Sequence, residues 1–379
     1  MSVSVTPVTV TPVSGRRELM QFIRLPWKLY RDNPCWVPPL IMDQKALLSP
    51  DKNPFWQHAS MQCFLARDGR RVVGRIAAIH DPSYITFQGE SVGFFGFYES
   101  IDDGDVARAL FANATRWLAE RGVQTMRGPA NPSTNDSLGL LIDAFDKPPM
   151  VMMPYNQAYY PRLFEDAGLT KAKDLYAYWL NDELMKIDRL DRSVELLKKR
   201  HKLELRSIDL KRLDDEIELV KTIYNDAWEK NWGFVPWTDA ELEHLGRELK
   251  PVADPELVMF AFKDGDPAGF SISLPDLYQA LIHVRSGRLL PFGILKLLYW
   301  QRRIDRVRVM AMGIRHKYRG LGIDALFYHR TFRHAQTQGR QRGECSWILE
   351  DNHAMRSVME KLGGQRYKTY RLYDRPVPR

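Results

Sequence analysis

The sequence predicts an α/β protein built from two tandem copies of one unit, each a mixed β-sheet flanked by helices. Two observations lead there: a repeat at long spacing, and strand and helix patterns that alternate through both halves. Glu165 and Glu360, Gly168 and Gly363, Lys173 and Lys368, and Tyr178 and Tyr373 each stand 195 residues apart. Gly74 and Gly269 share that offset, and Gly69 and Gly265 miss it by one residue. Ordered pairs at so constant a spacing put the two copies at roughly 1–190 and 191–379.

Each copy carries a hairpin signal. In the first, Phe64-Leu65-Ala66 and the apolar run 72–76 flank Asp68-Gly69; in the second, 258–262 and 268–272 flank Asp264-Gly265. Asp-Gly between apolar runs supplies the positive φ angles of a tight two-residue turn. The second copy opens with a strand at 203–208, then a helix at 215–228 and the hairpin. A buried strand at 307–314, a helix at 323–337, a strand at 345–350, a helix at 353–362 and a last strand at 366–373 complete it.

Composition narrows the function. Hydrophobic residues at 44% and charged residues at 27% over 379 residues describe an ordered globular chain. The net charge of +8 favours an anionic partner: nucleic acid, a membrane surface or a phosphorylated cofactor. Cys35, Cys63 and Cys345 lie far apart, with neither a CxxC pair nor a histidine pair nearby, so neither a metal site nor a disulfide framework is expected. That usage fits a reducing cytoplasm. The first residues lack the basic start and apolar core of a signal peptide. The longest nearly apolar run, 289–300, contains Lys296 and is too short for the roughly 20 residues that cross a bilayer.

The chemistry-bearing segment is Arg315-His316-Lys317-Tyr318-Arg319-Gly320-Leu321-Gly322, set between the strand at 307–314 and the helix at 323–337. Glycines let a backbone approach closely and turn its amides toward one point, and a helix N-terminus adds partial positive charge. Arg315, Lys317 and Arg319 put cations on the same loop. Together they point to a diphosphate. A helix cap with solvated arginines is the plainer alternative. His316 and His353 flank the loop, and neither is assigned a role.

Lys317-Tyr-Arg-Gly-Leu-Gly resembles the (Gln/Arg)-x-x-Gly-x-Gly/Ala signature of the GNAT acyltransferase superfamily, with lysine at its first position. The stretch from Trp347 through Asn352 to Gly363 is similar to that superfamily's next strand and helix. The resemblance implies a splayed sheet with acyl-CoA, the acyl donor, in its cleft. It implies amides of 320–323, from Gly320 to Ile323, on the pyrophosphate, and cofactor contacts from Met312, Ile314 and Asn352. It also places an oxyanion donor on the strand bearing Met312, Gly313 and Ile314, where Gly313 suits a bulge that frees an amide. In the first copy the equivalent segment, Ile101-Asp102-Asp103-Gly104-Asp105, is acidic where a phosphate loop is basic. That copy is therefore read as degenerate, with a supporting or acceptor-binding role.

Acyl transfer to an amine needs a neutral amine, a stabilised oxyanion and a departing thiolate. Glu350 is the first choice for the base that takes the ammonium proton. Asp351 and Asn352 precede a helix, and for Asp351 capping is the favoured role. Many superfamily members protonate the thiolate with a tyrosine seven residues after the asparagine; here that residue is Met359. Tyr318, Tyr367 or Tyr370 can substitute, and a thiolate of pKa near ~8.5 also leaves unassisted.

Two segments are candidates for acceptor recognition. The second copy is longer around 283–304, a stretch with no acidic residue that combines Leu289, Leu290, Phe292, Leu295, Leu298 and Tyr299 with Arg285, Arg288, Lys296, Arg302 and Arg303. That makeup suits an anionic bilayer, an acyl-chain pocket wall, or a packed helix in the core or at a dimer interface. In the first copy Asn131, Asn135, Asp136, Tyr155 and Asn156 sit in polar loops able to bind a hydroxylated head group, although turn chemistry accounts for such residues as well. The whole-chain arrangement resembles bacterial ceramide synthases, which implies a sphingoid long-chain base as the amine. The alternatives are an acetyltransferase for a small-molecule or protein amine, a Fem-type enzyme using aminoacyl-tRNA, and a non-catalytic GNAT-like sensor. No aromatic-basic RNA face is evident, so nucleic acid is not expected.

Overall fold

The computed structural model describes residues 8–378 except 182 and 184–186; the side chains of 187–189 and 193 also lie outside the description. The chain forms two compact units: residues 1–174 with 284–293 and 369–379, and residues 175–283 with 294–368.

The first unit carries β1 (Thr9–Pro12), α1 (Gly15–Leu29), the hairpin β2 (Ser60–Asp68) and β3 (Arg71–His80), β4 (Val92–Ser100), α2 (Gly104–Ala119), β5 (Thr125–Gly128) and α3 (Tyr160–Asp166). β6 (Thr170–Asn181) starts in this unit and continues into the other. The second unit follows with α4 (Ile187–His201), β7 (Leu203–Ser207), α5 (Leu213–Trp228), α6 (Asp239–Leu249), the hairpin β8 (Val258–Lys263) and β9 (Asp266–Pro275), α7 (Gly293–Gln301), β10 (Arg306–Ile314), α8 (Ile323–Thr337), β11 (Arg342–Leu349), α9 (His353–Lys361) and β12 (Gln365–Pro376). Gly293 of α7 and the end of β12 belong to the first unit.

The strands of each unit include one parallel pair, and the first unit also holds a short two-stranded sheet of Ala130–Asn131 with Ser137–Leu138. In the first, the strands run β1-β2-β3-β4-β5 and close on the end of β12, with Tyr373–Pro376 paired to Thr125–Gly128. In the second they run β7-β8-β9-β10-β11 and close on β6, whose residues from Leu175 to Asn181 pair with β11. The final strand of each copy thus completes the sheet of the other unit. Tyr178 and Tyr373, matched in the repeat, are both buried, one among Tyr328, Cys345 and Met359, the other among Phe95, Phe111 and Phe164.

The parallel pairs are short. β4 and β5 pair only over Val92–Phe94 with Thr125–Arg127, and β10 and β11 only over Arg306–Val309 with Arg342–Cys345. Beyond Val309 the strands separate, which is the splay that the resemblance implies. The repeated glycines have a packing reason: a Cβ on Gly74 would meet α2 at Leu110 and Val106 (2.8 and 2.9 Å), and one on Gly269 would meet the Gly313 carbonyl at 2.7 Å and Phe327 of α8 at 3.3 Å.

Two expectations need correction. Gly313 does not form a bulge: it pairs in register with Phe270, and the register shift on β10 falls at Met310, between Val309 and Ala311. Gly313 is instead a close-packing residue, since a Cβ there would lie 2.4 Å from the Trp228 ring. Two helices of that unit, α4 and α6, were not expected from the sequence; Thr238 and Glu241 start α6 with a reciprocal capping box.

Candidate active site

At the end of β10 the Arg315 amide still bonds the Ala268 carbonyl (2.9 Å), and a single turn over His316–Tyr318 follows. Gly320 (φ +81°) and Gly322 (φ +78°) then bend the chain into α8 through the left-handed region that glycine enters without strain. Gly322 is the N-cap of α8 and offers no side-chain cap. Among the described residues the amides of Gly320, Leu321 and Gly322 have no hydrogen-bond partner. Space around them is uneven: a Cβ on Gly320 meets nothing within 4 Å, whereas one on Gly322 would meet Leu197 of α4 at 2.7 Å.

The first copy solves the same corner differently. Asp103, the N-cap of α2, accepts hydrogen bonds from the Asp105 amide (2.8 Å) and the Val106 amide (3.3 Å). A carboxylate of the chain there takes the amides that the second copy leaves open.

The loop cations are less free than their sequence implies. Arg315 reaches Asp266 (3.2 Å) and Asp226 (3.4 Å), and Lys317 Nζ lies 2.6 Å from Asp266. The Tyr318 hydroxyl donates to Asp266 at 2.5 Å, and Arg319 donates to the Ala227 carbonyl at 2.8 Å. The Lys317 ammonium foremost, with the Tyr318 hydroxyl and Arg315, holds the Asp266 carboxyl down at about 2. Burial raises the carboxyl of Asp226, but the His316 amide and ring and Arg315 outweigh it and leave it lowered. The loop is thus fixed from below by two carboxylates, and its open face is made chiefly of amides. Met312 and Ile314 are part-buried against the Leu326 and Phe327 cluster beside it.

Where β10 and β11 part, the second unit buries a polar cluster. Arg308 donates from Nε to Ser346 Oγ (2.8 Å) and from its terminal nitrogen to the Ser346 carbonyl (3.1 Å). Ser346 and Tyr367 both donate through their hydroxyls to Glu344, which is fully buried. The Trp179 ring lies 5.4 Å from that of Tyr367. Glu344 and Arg308 face each other on the last rungs before the fork. Sequence reasoning missed this cluster; its one signal was Arg308 within the strand read as buried at 307–314, with Glu344 just before the strand expected at 345–350.

Glu350 follows β11, half-buried, and its carbonyl accepts from Arg356 at 2.7 Å. Asn352, not Asp351, caps α9, its side-chain oxygen accepting from the Met355 amide at 3.1 Å; that oxygen is therefore already used within the fold. Met359 is fully buried with Tyr178, Tyr328 and Cys345. Of the three tyrosines able to replace it, Tyr318 is bonded to Asp266, Tyr370 is fully buried in the first unit, and Tyr367 stands on Glu344 at the fork.

The polar residues of the first unit are engaged in holding its own backbone. Asn131 accepts from the Phe97 amide (2.5 Å) and donates to the Ser137 carbonyl (3.2 Å). Asn156 spans the Leu141 amide and carbonyl (2.7 and 3.0 Å), and Tyr155 donates to the Phe145 carbonyl (2.6 Å). Asn135 and Asp136 share Ser133.

The chain is 39% identical to the bacterial ceramide synthase of Caulobacter vibrioides (strain NA1000 / CB15N) over 384 residues, covering 98% of both chains. It belongs to the bacterial ceramide synthase family. The chain is an N-acyltransferase. Protein YghO of Escherichia coli (strain K12) is a further relative, 35% identical over 371 residues and covering 96% of this chain and 94% of that protein. No family model matches the sequence. Among solved structures, a tandem GNAT protein from the clavulanic acid biosynthesis pathway superposes with a TM-score of 0.57 at 14% identity, covering 98% of this chain and 99% of that one. A GCN5-related N-acetyltransferase from Sphaerobacter thermophilus gives 0.53 at 12% identity, covering 98% and 96%. These likenesses establish a tandem GNAT fold for this member of the ceramide synthase family. Among the described residues no group of acidic, histidine or cysteine side chains is arranged to hold a metal ion, and no helix is long and apolar enough to cross a membrane.

Proposed function

We propose that the protein transfers an acyl group directly from an acyl-CoA thioester to the amine of a sphingoid long-chain base. The observation that carries this reading is the set of three successive unpartnered amides, Gly320 to Gly322, at the start of the fifteen-residue helix α8. Amides converging at a helix N-terminus form a site for phosphate. The residues fit the group: Gly320 faces open space, and the chain's own carboxylates hold the loop from its other side. The likeness to the Caulobacter ceramide synthase favours the long-chain amine as acceptor.

In the reaction one proton leaves the ammonium, the neutral nitrogen attacks the thioester carbonyl, a C–N bond forms and the C–S bond breaks, and the second proton lost by nitrogen replaces the one given to the departing sulfur. Glu350 takes the first proton in this scheme. Tyr367, supported by Glu344, protonates the sulfur in place of the missing tyrosine at Met359, while the amides beyond the Met310 bulge face the oxyanion. The second copy carries the donor site and the first a supporting or acceptor-binding role. A long-chain amine resides in a bilayer, so the reading includes contact with the inner face of the cytoplasmic membrane.

Calorimetry with palmitoyl-CoA, acetyl-CoA and free CoA, then mass spectrometry after incubation with a panel of amines, tests it. Tight palmitoyl-CoA binding and N-acylated long-chain base are expected. Preference for acetyl-CoA would move the assignment to a small-amine or protein acetyltransferase, and no binding of any CoA species would overturn it.

A further inference from the structure

Helix α7 turns an apolar face outward. Leu295, Leu298 and Tyr299 are 62%, 52% and 54% exposed. Their spacing of three and four residues puts them on one side of the helix. The opposite side, with Ile294, Leu297 and Trp300, is half-buried, and Trp300 stacks on His283 with ring centroids 3.8 Å apart. The helix is therefore seated on its unit and still presents leucines to solvent. Leu290 and Phe292, which precede it in the first unit, are exposed as well. Elsewhere among the described residues only Met42, Phe87 and Leu196 are large, apolar and exposed. Such concentration marks an interaction surface, since single exposed apolar residues scatter on ordinary proteins.

Charge decides the occupant. No acidic residue occurs from 277 to 304. Lys296, Arg302 and Arg303 are exposed around the apolar face, and the Arg303 guanidinium rests 3.9 Å from the Tyr299 ring centroid. The acid that follows, Asp305, is already paired with Arg306 and Arg342. A two-fold pairing of this face with a second copy would bring lysine and arginine against themselves with no carboxylate between. A nine-residue helix is about 13 Å long, enough to sink one face among head groups and too short to span.

We infer that α7 is a docking surface for an anionic lipid bilayer, with Leu295, Leu298 and Tyr299 entering the interface and Lys296, Arg302 and Arg303 lying on phosphate head groups. This extends the proposed function but is read without turnover, so either can fail alone. The test is co-sedimentation of the full chain with phosphatidylglycerol–phosphatidylcholine vesicles and with phosphatidylcholine vesicles. The variants are Leu295→Ser/Leu298→Ser/Tyr299→Ser and Lys296→Glu/Arg302→Glu/Arg303→Glu, with melting curves to confirm folding. The wild type is expected on the anionic vesicles only, and each folded variant should partition at least tenfold less. Should a triple variant fail to fold, the single changes Leu298→Ser and Lys296→Glu replace it, each expected to lower partitioning several-fold. Equal partitioning of wild type and folded variants overturns the inference. So does a lipid-free dimer, seen by light scattering, that the leucine substitutions abolish.

Discussion

Replacing Gly320 by alanine and by glutamate separates backbone strain from charge at the proposed diphosphate site. Gly320 has φ +81°, and a Cβ there meets nothing within 4 Å. Alanine therefore brings no clash and costs only the left-handed strain, about 1–2 kcal/mol. That strain acts on free and ligated protein alike, so Gly320→Ala lowers the melting temperature but weakens acyl-CoA binding by less than about fivefold. Glutamate adds the same strain and a carboxylate in the open space before the amides. At about 5 Å from one phosphate charge, with an effective dielectric between about 20 and 80, repulsion is about 1–3 kcal/mol. The expected loss for Gly320→Glu relative to Gly320→Ala is therefore about fivefold to 150-fold. Salt should narrow the gap, because the site is open to solvent. Calorimetry with palmitoyl-CoA at about 50 and 500 mM salt, where the Debye length falls several-fold, reads both quantities. Equal dissociation constants for wild type, alanine and glutamate forms would refute an anion site on this loop.

Three further outcomes follow from packing and burial. Gly313→Ala would push a methyl group to 2.4 Å from the Trp228 ring; overpacking of this kind costs about 1–3 kcal/mol, so the melting temperature should drop by about 2–12 °C. Glu344→Gln and Tyr367→Phe should each lower kcat at least tenfold while leaving the dissociation constant for acyl-CoA unchanged, and Glu350→Gln should do the same; unchanged single-turnover rates would remove the residue concerned from the chemistry. Burial pushes the Glu99 carboxyl above its ordinary 4.5, against the opposing pull of Arg75 and the Tyr160 and Tyr30 hydroxyls. A raised folded-state value means that the stabilisation is complete below about 4.5 and declines as pH rises through the folded value. The melting temperature of wild type relative to Glu99→Gln should therefore fall with rising pH above 4.5, and a flat difference would contradict the assignment.

Local signals in the sequence led to local structure. Asp68-Gly69 and Asp264-Gly265 stand at the two hairpin turns, and the apolar run before Arg315 with the pattern after Gly322 forms β10 and α8. What a strand pairs with is not local. Tyr178 and Tyr373 marked a final strand in each copy, yet no property of either strand says which sheet it completes. The loop cations were legible as cations, but Asp226 and Asp266, which hold them, lie 89 and 49 residues from Arg315. Asn131 and Asn156 looked like recognition residues because a polar loop and a backbone clamp share the same composition. Arg308 and Glu344 were passed over because a strand's alternation does not tell a solvated face from one covered by other elements.

The exchange of final strands carries a consequence for how the chain can be divided. A fragment cut at the midpoint of the repeat would lose a strand from each unit: the N-terminal piece would lack 369–379, and the C-terminal piece would lack 175–181. Each piece would expose an unpaired strand, β5 in one and β11 in the other, open to its neighbours in solution. Neither half of this chain is complete until the whole of it has been synthesised.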